Sequence, residues 1–141
     1  MFTIKNEIQF DTAHYLSGYL GKCANIHGHR YRLIVKIARE ELHTDGHLRG
    51  MVDDFSHIKT VLREVEAEFD HKLLVEDNDE GRRLTEALRA VKPDLAVCLF
   101  PTRPTVEEMS RYIFRLIRGK GLDVTEVELF ETPANSCIYS E

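Results

Sequence analysis

A chain of 141 residues, 43% of them hydrophobic, can bury one core and is too short for two ordinary domains, so a single domain over residues 1–141 is expected. Its 24 acidic and 19 basic side chains, net charge −5, are spread along the sequence without the basic block that neutralises a phosphate backbone, which argues against nucleic acid as a partner. No apolar run approaches the ~20 residues of a membrane span, and MFTIKNEIQFD alternates where a secretion signal is continuously apolar, so no membrane partner and a cytoplasmic location are expected. Three cysteines, Cys23, Cys98 and Cys137, make an odd set in a chain large enough to fold without staples, so no disulfide framework is expected.

Phe2, Ile4, Ile8 and Phe10 alternate with Thr3, Lys5, Glu7 and Gln9, the period of a strand, and His14 falls in phase with the apolar set. After a loop with Gly18 and Gly21, alternation resumes through His27, His29, Tyr31, Leu33, Val35 and Ile37, predicting a second strand antiparallel to the first. Phe55, Ile58, Leu62, Val65 and Phe69 recur at helical spacing, with Asp53 or Asp54 as N-cap. Leu84, Ala87, Leu88 and Val91 predict a second helix ending near Pro93, followed by a short buried strand over 95–100. A third helix opens at Pro104 and Thr105, with Glu108 at capping-box spacing and Met109, Ile113, Leu116 and Ile117 as its apolar face, and stops at Gly119 and Gly121. Val127, Leu129 and Glu131 share one strand face, and a turn over 132–136 leads to a last strand around Ile138.

The pair His27 and His29 puts two imidazoles on one strand face, close enough for one metal, and His14 can be brought opposite them by an antiparallel hairpin. Gly28 removes a side chain from the opposite face, where another segment can approach. Three neutral histidines leave Zn²⁺ an open position, the pattern of a catalytic site; Fe²⁺ is an alternative, and so is a pair of ordinary strand-end histidines. His43, His47 and His57, in a polar loop and on the polar side of a helix, are expected to be exposed. Cys23, four residues before His27, suits a general base beside a metal, a fourth ligand or a small filler. Asp70 and His71 stand at a helix end. Glu131 continues an apolar face, so its carboxylate needs a partner, either an internal base or a ligand edge. Glu107 is most simply a favourable charge in a first helical turn.

F-D-T-A-H at 10–14, K-C-A-N-I-H-G-H at 22–29, V-D-D-F at 52–55, F-D-H-K-L-L at 69–74, P-T-V-E at 104–107 and E-T-P-A-N-S-C-I-Y at 131–139 together resemble the 6-pyruvoyltetrahydropterin synthase superfamily. Three residues separate Cys23 from His27-Gly28-His29, as in the bacterial 6-carboxytetrahydropterin synthases of the queuosine and 7-deazapurine route; the eukaryotic pyruvoyl synthases have five. The resemblance implies an α+β tunnelling fold (T-fold): an antiparallel sheet from two hairpins, helices on one face, and subunits forming a barrel as trimers that stack into hexamers. It implies His14, His27 and His29 as Zn²⁺ ligands, Cys23 as proton acceptor, Asp70, His71 and Glu131 as relay and pterin-anchoring groups, and Thr105 and Glu107 near the pterin. The implied reaction is conversion of 7,8-dihydroneopterin triphosphate to 6-carboxy-5,6,7,8-tetrahydropterin, acetaldehyde and triphosphate. Alternatives are triphosphate elimination, as in the pyruvoyl synthases, and a non-catalytic pterin- or metal-binding protein. Lys22, Arg30 and Arg32 are the nearest bases for the triphosphate. The stretch from Val75 to Arg103 is longer than in compact family members.

Overall fold

The computed structural model describes residues 1–141. Two long strands, β1 (Phe2–His14) and β2 (His27–Arg39), pair antiparallel along their full length, with His14 opposite His27, Thr12 opposite His29 and Phe10 opposite Tyr31. This register places every in-phase residue of both strands on one face. Helix α1 (Phe55–Phe69) follows, then β3 (Leu73–Glu76), α2 (Asp79–Val91), β4 (Val97–Phe100), α3 (Val106–Gly119), β5 (Glu126–Thr132) and β6 (Asn135–Tyr139). The strands form one sheet in the order β4-β3-β1-β2-β5-β6.

Four adjacent strands of it are the two expected hairpins, β1-β2 and β5-β6, joined where β5 pairs antiparallel with β2. The stretch 73–103 adds what the hairpins do not account for: β3 and β4 pair parallel to each other, and β3 runs parallel to the end of β1 at Ala13 and His14. Helix α2 makes the crossover between them. It lies close on β3 because residue 81 is glycine; a Cβ there would stand 2.0 Å from the Glu76 carbonyl oxygen. Its inward face is Gly81 and Thr85, with Leu84 and Leu88 half-buried, whereas Ala87 and Val91, expected on that face, are exposed.

The caps match local chemistry. Asp54 accepts the Ser56 N–H (2.7 Å) at the start of α1, and Thr105 accepts the Glu108 N–H (3.3 Å) at the start of α3. One core lies between the sheet and helices α1 and α3, built from Phe10, Tyr31, Leu33, Val35, Phe69, Met109, Ile113, Phe114 and Leu129 among others. The opposite sheet face carries Asp11, Arg30, Arg32 and Lys36 on β1 and β2, and at β3 and β4 it is covered by α2, whose Leu84 and Leu88 pack with Leu73, Val75 and Ala13. Three strand edges are open: β1 from Phe2 to Gln9, because β3 reaches only its last residues, and the outer edges of β4 and β6. No helix is long and apolar enough to cross a membrane.

Candidate metal centre

His14 ends β1 and His27 begins β2, so the antiparallel register brings them face to face, with His29 one pleat further along. Their ligating nitrogens lie within 4.8 Å of one another. Each ring is aimed by the backbone. His14 Nδ1 lies 2.8 Å from the Pro104 carbonyl oxygen and His27 Nδ1 lies 2.7 Å from that of Asn25. A carbonyl only accepts, so both Nδ1 atoms carry the proton and both Nε2 atoms present lone pairs. Those two Nε2 atoms are 3.1 Å apart. Two lone pairs at that distance repel unless a cation lies between them. Two nitrogens bound tetrahedrally at ~2.0–2.1 Å would stand about 3.3 Å apart, so the spacing is that of a metal site. His29 Nε2, buried and without a hydrogen-bond partner, supplies the third donor. Burial pushes the His14 and His29 imidazoles below the ordinary histidine range, which keeps them in the neutral, ligating form.

Glu131 reaches the same cluster from β5, its Oε1 3.8 Å from His29 Nε2. It sits where the β5-β6 register shifts between Phe130 and Thr132, an irregularity of the kind that re-aims a strand side chain. Below the histidines lies Tyr31, fully buried, its hydroxyl 3.4 Å from His14 Nδ1 and 3.5 Å from His14 Nε2. Burial, and then the Glu131 carboxylate, push the Tyr31 phenol far above its ordinary value. The start of α3 borders the site, since the Pro104 carbonyl that holds His14 immediately precedes Thr105; Glu107, two residues on, is exposed.

Asp70 and His71 are not in this cluster. The Asp70 carboxylate accepts the Asp11 N–H (2.9 Å) and lies 2.8 Å from His71 Nδ1, while His71, at φ 57°, donates its own N–H to the Asp11 carbonyl (2.6 Å). Thr12 Oγ1 donates to the Lys72 carbonyl (2.8 Å), which also accepts the Ala13 N–H (3.0 Å). The turn is therefore fastened to β1 immediately before His14. Its exposed imidazole stands beside Asp11 and Arg30, whose side chains take the sheet face opposite His14. The Asp11 N–H and then His71 hold Asp70 below its ordinary value, and Asp70 raises His71.

Cys23 lies in a short 3-10 turn (Lys22–Ala24) two residues before Asn25, and its carbonyl accepts the Leu16 N–H (2.9 Å). Its thiol is not among the converging donors, a set made only of histidines. All three cysteines are free and half-buried, and burial raises the Cys98 thiol. Arg30 and Arg32 are engaged by Asp11 and Glu7, and Lys22 has no carboxylate partner. His43 is half-buried where exposure is expected, because the 43–51 loop folds back through His43 N–H to Met51 O (3.2 Å) and Gly50 N–H to His43 O (2.8 Å). His47 and His57 are exposed. Only its hairpin partner, at Thr12 and Ala13, lies within 4 Å of where a Gly28 side chain would begin. A Cβ there would make ordinary contact, 3.4 Å from the Thr12 carbonyl, and the bare glycine instead separates two clefts, one beside His71 and Lys72 and one beside Glu131 and Thr132.

Sequence reasoning missed Tyr31 as part of the site, although its phase with His27 and His29 put it on their face. The two bracing carbonyls, of Asn25 and Pro104, leave no side-chain signal.

The fold and the site define an α+β half-barrel of the T-fold class with a three-histidine centre able to hold a metal at one end of its buried face. The family model described as 6-pyruvoyl tetrahydropterin synthase matches residues 3–141. A Haemophilus influenzae protein named 6-carboxy-5,6,7,8-tetrahydropterin synthase is 38% identical over 143 residues, with both chains covered in full. A Rickettsia bellii protein of the same name is 34% identical, covering 94% of this chain and 96% of its own. The structure of Caenorhabditis elegans 6-pyruvoyl tetrahydropterin synthase superposes with a TM-score of 0.70 at 26% identity, over 99% of this chain and 95% of that one. A Wolinella succinogenes structure shares the fold at a TM-score of 0.75 and 21% identity, covering 99% and 97% of the two chains. This chain belongs to the 6-pyruvoyl tetrahydropterin synthase family.

Proposed function

We propose that this protein converts 7,8-dihydroneopterin triphosphate to 6-carboxy-5,6,7,8-tetrahydropterin with release of acetaldehyde and triphosphate, as a zinc-dependent lyase of one domain over residues 1–141. The observation that carries the reading is the convergence of three imidazole donors, two with tautomers set by backbone carbonyls and one buried without a partner. The names of the relatives at 38% and 34% identity, and the three-residue spacing from Cys23 to His27, favour the carboxy product over the pyruvoyl one.

Zn²⁺ held by His14, His27 and His29 would supply a Lewis acid for the substrate's side-chain oxygens. The residues around it divide the remaining work. Glu131, a carboxylate at the edge of the cluster, accepts hydrogen bonds from the pterin's amino-pyrimidine edge, with Thr105 and Glu107 at the neighbouring helix start. Cys23 takes the proton from the substrate side chain as general base. His71, oriented by Asp70, relays protons through its exposed Nε2.

Within one chain the Asp70–His71 pair and the histidine cluster face opposite sides of the sheet, so the complete site takes this pair from a neighbouring subunit. The open edges of β1 and β6 are the surfaces on which copies would join into the barrel, as a trimer and then a hexamer. The location is cytoplasmic. Incubation of the zinc-loaded protein with 7,8-dihydroneopterin triphosphate, with aldehyde trapping, tests the assignment: acetaldehyde in proportion to triphosphate supports it, and triphosphate without acetaldehyde makes the protein a pyruvoyl synthase.

A further inference from the structure

Three aliphatic hydroxyls are buried in the chain, those of Thr12, Thr85 and Ser110. Two bond within their own helix: Thr85 donates to the Gly81 carbonyl and Ser110 to that of Val106, each four positions back. Thr12, 4% exposed, instead reaches across 60 positions to the Lys72 carbonyl at 2.8 Å. That carbonyl already accepts the Ala13 N–H (3.0 Å), so it would be satisfied without Thr12. The second donor bears on the residue just before Lys72. His71 sits at φ 57°, the one residue other than glycine with a positive φ, in a region that side chains with a Cβ seldom occupy. Such a conformation persists where the surroundings over-determine it. Four bonds from residues 11–13 to residues 70–72 do so here: the Asp11 N–H to the Asp70 carboxylate (2.9 Å), the His71 N–H to the Asp11 carbonyl (2.6 Å), and the two on Lys72.

We infer that Thr12 is a positioning residue for His71: its hydroxyl clamps the turn at Lys72, so that His71 keeps the left-handed conformation that leaves its imidazole exposed beside Asp70. The inference rests on the proposed role of His71 as proton relay at a neighbouring subunit's metal site. Strand β1 then serves two sites. Thr12 lies opposite His29 and two residues before His14, both ligand candidates of its own chain, and through Lys72 it holds the relay offered to the next chain. The ligands do not depend on this hydroxyl, since His14 and His27 are braced by the carbonyls of Pro104 and Asn25. Thr12→Val keeps the β-branched shape and leaves the Ala13 N–H on the Lys72 carbonyl, so it removes one donor and strands no acceptor.

Residue-resolved amide exchange in the zinc-loaded protein tests the clamp without substrate. The His71 N–H, closed on Asp11, should exchange about 5-fold faster in Thr12→Val, the weight of one neutral hydrogen bond, while amides of the β1-β2 ladder keep their wild-type rates. Thr12→Ala, which also lacks the hydroxyl, should do the same, and Thr12→Ser, which retains it, should stay within about 2-fold of wild type. A wild-type His71 rate in Thr12→Val or Thr12→Ala, or a rate in Thr12→Ser as fast as theirs, overturns the inference. A kinetic arm separates positioning from stability: Thr12→Val lowers kcat roughly 10-fold with KM and zinc content unchanged, the scale of a displaced proton-transfer group, and Thr12→Ser restores it. In the His71→Ala background the same change costs less than about 2-fold, because its effect passes through His71. Equal losses with and without His71 overturn it. A wild-type protein without turnover sinks the proposed reaction, while the exchange rates still decide whether Thr12 holds His71.

Discussion

Removing the metal, or one of its ligands, changes stability by an amount the site itself bounds. The site holds two facing lone pairs 3.1 Å apart and a buried His29 Nε2 with no partner, and a metal bound there would satisfy all three donors. Metal at 100 times its dissociation constant stabilises the native state by about 2.7 kcal/mol. A chain of 141 residues unfolds with an entropy near 0.3 kcal/mol per kelvin, so this free energy corresponds to a rise in Tm of roughly 9 °C. In His29→Ala two ligands remain, and zinc at the same concentration should shift Tm by no more than about 2 °C, a small fraction of the wild-type effect. Calorimetry on chelator-treated and zinc-loaded samples at one protein concentration makes the comparison. An equal zinc-dependent rise in wild type and His29→Ala would refute the reasoning, because the stabilising metal would then sit elsewhere.

Cys23→Ala should keep about one zinc per chain and lose turnover by ~100-fold or more, the scale of a lost general base, as judged by metal analysis beside steady-state kinetics; proportional loss of both would make the thiol a ligand. In a histidine-resolved NMR titration, His71 should titrate above 6.5 and fall toward it in Asp70→Asn, since the carboxylate is what raises it. With the His71 value raised, the Asp70–His71 contribution is complete below 6.5 and is lost as pH rises through the raised value; with Asp70 lowered, it is also lost as pH falls through the depressed carboxylate value. An unchanged His71 titration in Asp70→Asn would contradict the pairing. Light scattering should find a hexamer, and an active monomer would remove the intersubunit site.

How much of this was legible in the sequence follows from what each element owes to local pattern. The β1-β2 hairpin, with its strict alternation, predicts both the strands and the side of the sheet on which His14, His27 and His29 meet, and apolar spacing with a cap predicts α1 and α3. Strand β3 carries no such mark: Leu73, Leu74 and Val75 are buried on both faces between parallel neighbours, so no alternation separates them from a helix end. The inward face of α2 was misjudged because Gly81 and Thr85, chosen for closeness to β3, are not apolar markers. At the site, residue types announce the ligands, whereas their aim depends on carbonyls as distant as Pro104, 90 positions from His14. The sheet face occupied by Asp70 and His71 depends on bonds to Asp11 and Thr12 made across 59 and 60 positions.

The central claim is that one metal is held by three imidazoles without the Cys23 thiol, and X-ray absorption at the zinc edge of the loaded protein tests it most directly. The account predicts nitrogen or oxygen neighbours only, at ~2.0–2.1 Å, with the outer-shell scattering of three imidazole rings and one exchangeable light ligand. A sulfur neighbour at ~2.3 Å, or fewer than three imidazoles, would contradict it.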